Sequence, residues 1–122
     1  MNKNILLTII TENQTQKVKA EKLAELLKNE LGEGWETENI EKYYKFENSF
    51  KIELKKTFSD KTQDKLNLIG ISLADRLVSP WLVYYDKDEN SVELIFNKDN
   101  FSRIRKTDFN VIRWGQLLIT EA

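Results

Sequence analysis

The chain has 122 residues, 40% hydrophobic and 32% charged, a length that suits one domain around one core. It has no His and no Cys, which excludes disulfides, His/Cys zinc sites, Cys nucleophiles and every triad that uses His as base. Lys and Arg total 19 against 20 Asp and Glu, a net charge of −1, so the chain lacks the basic excess of a nucleic-acid module.

Chain order begins with Ile5–Ile10, an apolar run that reads as a central strand and is far shorter than the ~20 residues of a membrane span. No small-residue cleavage site follows it, and a chain without Cys or leader fits the cytoplasm. Asn13 and Gln16 have capping-box spacing, and Ala20, Leu23, Leu27 and Leu31 form a helical stripe. These predict a helix over 14–31, ended by Gly32. Ile40–Phe46 and Phe50–Phe58 read as a hairpin around Glu47-Asn48-Ser49, with Phe50, Ile52 and Leu54 alternating with Lys51, Glu53 and Lys55.

Ser59-Asp60 opens a second helix on the stripe Leu66, Ile69, Leu73, Leu77. Gly70 within it costs ~1 kcal/mol relative to Ala, which suggests close approach to a sheet. The helix stops before Pro80. Trp81–Tyr85 and Ser91–Phe96 form a second hairpin around the polar loop Asp86–Asn90. Residues 99–105 read as a short helix or irregular crossing, and Asn110–Trp114 or Gln116–Ile119 as a last strand. The order β-α-β-β-α-β-β-(α)-β predicts a single α+β domain. Its sheet is mostly antiparallel, with two main helices packed on one face; a ferredoxin-like or related split β-α-β arrangement is the nearest pattern.

Charge is unevenly distributed. Residues 1–40 carry net −2, 41–59 net +2, 81–97 net −3 and 98–122 net +2. Glu30, Glu33, Glu36, Glu38 and Glu41 form one acidic stretch with Trp35 at its centre. That Trp either folds back to close the core or serves as an interface anchor, with carboxylates that steer a basic partner. Asp86, Asp88, Glu89 and Glu93 form a second acidic stretch beside Trp81, Tyr84 and Tyr85. Adjacent Tyr on a strand face opposite ways, so one of Tyr84/Tyr85 and one of Tyr43/Tyr44 should be exposed.

Three patterns point to other chemistry. Glu53-Leu54-Lys55 has the E-x-K spacing of metal-dependent nucleases, and alternating charge on a wet strand produces the same spacing. Asp86, Asp88 and Asn90 open like a calcium loop, but Ser91 stands where Gly is needed and Asn97 where Glu is needed, so the motif fails. Lys98, Arg103, Arg105, Lys106 and Arg113 interleave with Phe101 and Phe109, as in a phosphate-binding, base-stacking patch or in a solvated edge with core aromatics.

In Gly34-Trp35-Glu36, in Ser79–Asp86, in Ser91–Phe96 and in Val111–Gln116, the chain resembles the small cytoplasmic immunity proteins of bacterial contact-dependent growth inhibition and related polymorphic toxin systems. The resemblance spans the whole chain in size, composition and style, and carries no diagnostic motif. It implies a protein that binds the C-terminal domain of a cognate toxin, often a nuclease of basic surface, and blocks it as a monomer in a 1:1 complex. It implies no catalytic residue, metal or cofactor, and no nucleic-acid or membrane partner. Glu33, Trp35, Glu36, Glu38, Tyr85, Asp86, Asp88 and Glu89 are the candidate partner-binding residues. The alternatives are a secretion chaperone, a metal-dependent nuclease built on Glu53 and Lys55, and a phage-type inhibitor of a nucleic-acid enzyme.

Overall fold

A computed structural model describes residues 2–122. The elements are β1 (Asn2–Thr11), α1 (Lys17–Leu31), β2 (Glu36–Lys42), β3 (Phe50–Ser59), α2 (Gln63–Asp75), β4 (Val78–Ser79), β5 (Leu82–Asp86), β6 (Ser91–Asn97), β7 (Arg103–Ile104), a 3-10 turn (Thr107–Val111) and β8 (Ile112–Glu121). Six strands form one sheet in the order β2-β3-β1-β8-β6-β5, and every neighbouring pair is antiparallel. β4 and β7 make a separate two-residue ladder.

The first four strands of that order, β2-β3-β1-β8, with α1 and α2 between them in sequence, are the split β-α-β arrangement expected. The hairpin β5–β6 is added beyond β8. α1 packs on β2 and β3, and α2 on β6 and β8. Ile5, Leu7, Ile9, Ile52, Leu54, Leu94 and Leu117 are buried in the same apolar cluster as Leu23, Leu27, Leu66 and Leu73 of the helices. The register places Leu6, Thr8, Glu53, Gln116, Glu93 and Tyr84 on the opposite, open face.

Several local readings shift. Asn13 turns left-handed (φ +57°) instead of capping, and α1 starts at Lys17 behind Gln16, whose side chain makes no cap bond. Gly32 ends the helix at φ +105°, its N–H bonded to the Lys28 carbonyl at 3.0 Å. α2 begins at Gln63 because the Thr62 hydroxyl accepts from the Lys65 N–H. It ends at Asp75, although Leu77 just beyond it stays fully buried. At Gly70 an added Cβ would stand 3.0 Å from Leu117 Cδ2, the close approach foreseen for it. The last strand is one ten-residue element instead of either short alternative. Residues 99–105 hold the two-residue β7 and no helix.

Candidate functional site

The eight candidate residues fall at opposite ends of the sheet. Glu36 and Glu38 lie on β2, with Glu33 and Trp35 just before it, and Tyr85 and Asp86 lie on β5, with Asp88 and Glu89 in its loop. β2 and β5 are the two edges. Five intervals of about 4.8 Å separate them by roughly 24 Å, so the two acidic stretches form two surfaces and not one.

Trp35 belongs to neither surface. It is 7% exposed and joins the core, which corrects its selection as an interface anchor. Apolar area of that size is worth more inside the core than on a turn. Gly34, at φ +87°, supplies the backbone conformation in the turn that leads to it. The indole N–H is buried without a hydrogen-bond partner.

Around Trp35 the carboxylates Glu33, Glu36 and Glu38 are exposed. Glu38 bonds Lys55 at 2.8 Å. That bond, and the field of Glu38, hold the Lys55 ammonium above its ordinary pKa of 10.5, with Glu36 adding to the effect. The E-x-K pair is therefore engaged on each side. Lys55 faces Glu38, while Glu53 accepts from Asn39 Nδ2 at 3.3 Å and stands 3.6 Å from Lys51. Among the described residues no group of three or more Asp or Glu is placed to hold a metal ion.

The β5 end differs. Every residue of Leu82–Asp86 is exposed, Tyr84 at 55% and Tyr85 at 59%. The alternation rule predicted one exposed Tyr. Both are exposed because β5 is the edge strand and α2 packs on β6 and β8 instead. Tyr44 is exposed and Tyr43 half-buried, but not by alternation: the strand expected over Ile40–Phe46 is Glu36–Lys42, and both tyrosines lie in the turn that follows it.

The loop after β5 is built, not loose. Asp86 Oδ1 accepts from the N–H groups of Asp88 (3.0 Å) and Glu89 (3.3 Å), an Asx turn. Asn90, at φ +50°, accepts from the Tyr85 hydroxyl at 2.7 Å and donates to Asp64 Oδ1 at 2.8 Å. Asn67, buried in α2, donates to the Asn90 carbonyl at 2.9 Å and accepts from Gln63 Nε2 (2.9 Å) and the Val92 N–H (3.3 Å). The first turns of α2 therefore hold the hairpin tip and Tyr85 in place. Sequence reading missed Asn67, and met Asn90 only in the failed calcium-loop pattern. The one signal was a polar residue, Asn67, on the buried side of α2 three and seven positions before Gly70 and Ala74.

Two grooves flank β5. One, of about 600 Å³, lies at the Asp86–Ser91 end of the sheet and is lined by Tyr84, Asp86, Glu89, Glu93, Glu121 and two lysines, among others. The other, of about 400 Å³, lies on the helix face between Ile71, Pro80, Trp81, Val83 and Leu94.

The basic–aromatic series is dispersed. Phe109 is fully buried and Phe101 exposed. Lys98 bonds Glu12, Arg105 bonds Asp75 and Lys106 bonds Glu30. Arg113 lies over the Phe46 ring, 3.7 Å from its centre. No helix among the described residues is long and apolar enough to cross a membrane. Comparison with protein-family models, curated proteins and solved structures returns no match.

Proposed function

We propose that this chain is an immunity-type protein, a stoichiometric binder that neutralises a toxin domain of basic surface, of which a nuclease is the leading class. The carrying observation is the β5–β6 end: a fully exposed strand bearing Tyr84 and Tyr85, rimmed by Asp86, Asp88, Glu89 and Glu93, on a hairpin fixed by Asn67 and Asn90. Exposed tyrosines supply rigid, amphipathic contact area. A carboxylate cluster speeds encounter with a cationic partner and sets its orientation. A hairpin already held by hydrogen bonds loses little freedom on binding. In this reading the protein acts as a monomer, one copy per toxin, and covers the toxin's active site or substrate path.

The test is co-expression with the product of the adjacent upstream gene. A 1:1 complex that co-purifies and restores growth is the expected result. Absence of both complex and protection overturns the proposal.

A further inference from the structure

The two edges of the sheet are not equivalent. β2 carries Glu36, Glu38, Glu41 and Lys42 and has a register shift between Thr37 and Asn39. Charges and a bulge are the usual means of blunting an edge against further pairing. β5 has no bulge, and its one charge, Asp86, stands at its last position. Its residues Leu82-Val83-Tyr84-Tyr85 are all more than half exposed, its ladder to β6 is regular from Leu82 to Asp86, and β6 is its one neighbour in the sheet. Alternate backbone N–H and C=O groups on its outer side thus face away from the sheet, as on any edge strand.

The two sides of this edge differ in chemistry. Val83 and Tyr85 stand opposite the buried Leu94 and Val92, on the helix face, where the flanking groove is formed by Ile71, Pro80, Trp81 and Leu94. Leu82, Tyr84 and Asp86 share the open face with Glu93, the partner of Tyr84, and the groove beside them is lined by Asp86, Glu89 and Glu93 together with Lys87 and the ion pair Lys3–Glu121. A strand laid along β5 alternates its own side chains between these faces. It presents apolar residues to one groove and basic residues to the other.

We propose that β5 is a strand-addition site for an extended partner segment of alternating apolar and basic residues, which joins the sheet as a seventh strand. Main-chain hydrogen bonds supply affinity and the two grooves supply specificity. The inference deepens the binder reading and rests on it for the partner's basic character. Charge selects the occupant. Residues 81–97 carry net −3, so pairing β5 with a second copy brings like charges together, whereas a basic segment neutralises them.

The test uses two blocked peptides of identical composition on the full chain: alternating valine and lysine over eight residues, and the same residues arranged as two valines then two lysines. Amide hydrogen exchange and a titration are read for each. The alternating peptide is expected to bind at least tenfold more tightly and to slow exchange at least tenfold at alternate amides of residues 82–86. Val83→Lys, with its melting temperature confirmed, abolishes both effects. Equal binding of the two peptides, or absence of protection at β5, overturns strand addition. Protection that rises with protein concentration alone makes a second copy the occupant, and equally overturns it. The outcome is separable from the co-expression result: loss of toxin protection with intact peptide pairing removes the immunity reading and leaves the edge site, and the reverse removes only the edge site.

Discussion

The indole of Trp81 lies against Gly115, where a Cβ would stand 2.6 Å from Cη2 of the ring. The ring cannot swing aside cheaply. Its Nε1 donates to the carbonyls of Ala74 (3.0 Å) and Val78 (2.8 Å), and its centre is 5.6 Å from that of Phe96. Gly115 therefore lets the segment entering β5 dock on β8. Gly115→Ala is expected to cost about 1–3 kcal/mol, the range for overpacking. The measurement is thermal unfolding together with a shift in Trp emission.

Trp35 separates core from interface. Trp35→Ala removes a buried indole and is expected to cost about 3–5 kcal/mol, abolishing partner binding through loss of fold. Trp35→Phe keeps an apolar ring and removes the unpartnered N–H, so stability should remain within about 1.5 kcal/mol of the parent. Association kinetics of Trp35→Phe with the proposed toxin partner should be unchanged. A large change in on-rate or off-rate at constant stability would return Trp35 to the interface.

Periodicity made the helices, the second hairpin, the strand from Phe50 and the central position of β1 legible, because burial on one face imprints period 3.6 or 2 on the chain; the first strand of the first hairpin lies four residues earlier than its expected Ile40–Phe46. Ala20, Leu23, Leu27 and Leu31 are all buried as their spacing requires. Element ends were less legible. Asn13 carries the side chain of a cap but adopts the left-handed conformation that Asn also tolerates, and sequence does not distinguish these uses. The candidate site was legible as two acidic, aromatic stretches and not in its arrangement. The two acidic stretches read alike along the chain, and strand order alone sends them to opposite edges. The exposure of both Tyr84 and Tyr85 was illegible for a related reason: alternation predicts facing, whereas cover depends on which strands α2 packs on, here β6 and β8.

Asn67 tests whether the hairpin tip is held from below. Asn67→Ala leaves the Val92 N–H and the Asn90 carbonyl without their side-chain partner, at an expected cost of about 1–3 kcal/mol. Faster amide exchange should concentrate at residues 85–92, with α1 and β1 unaffected. Uniform acceleration across the sheet would mean that Asn67 supports the core and not the tip.

The Glu38–Lys55 pair makes alkaline stability a readout of the β2 edge. Folded Lys55 holds its proton more tightly than the unfolded chain does, since Glu38 raises its pKa above 10.5. Its contribution is thus fully present below pH 10.5 and is lost as pH rises through the higher folded value. Lys55→Met should flatten the decline of stability in that window and leave neutral pH little changed, as expected of an accessible pair. Denaturant midpoints at pH 7, 10 and 11 give the comparison, and parallel curves for parent and variant would refute it.

Charge reversal decides which edge meets the partner. Asp86 is unsuitable for reversal because it holds the loop through the Asp88 and Glu89 amides, whereas the side chains of Asp88 and Glu89 are exposed. The double variant Asp88→Lys/Glu89→Lys should preserve the fold and slow association with the proposed toxin partner by about tenfold at low salt, with the difference fading as salt screens the field. Glu33→Lys/Glu36→Lys changes the net charge of the protein equally but sits at the β2 edge, roughly 24 Å away by strand spacing. Its effect on the on-rate should be within about threefold of the parent, the residue of long-range steering alone. Because both variants carry the same total charge, a larger slowing from Glu33→Lys/Glu36→Lys would move the interface from β5 to β2.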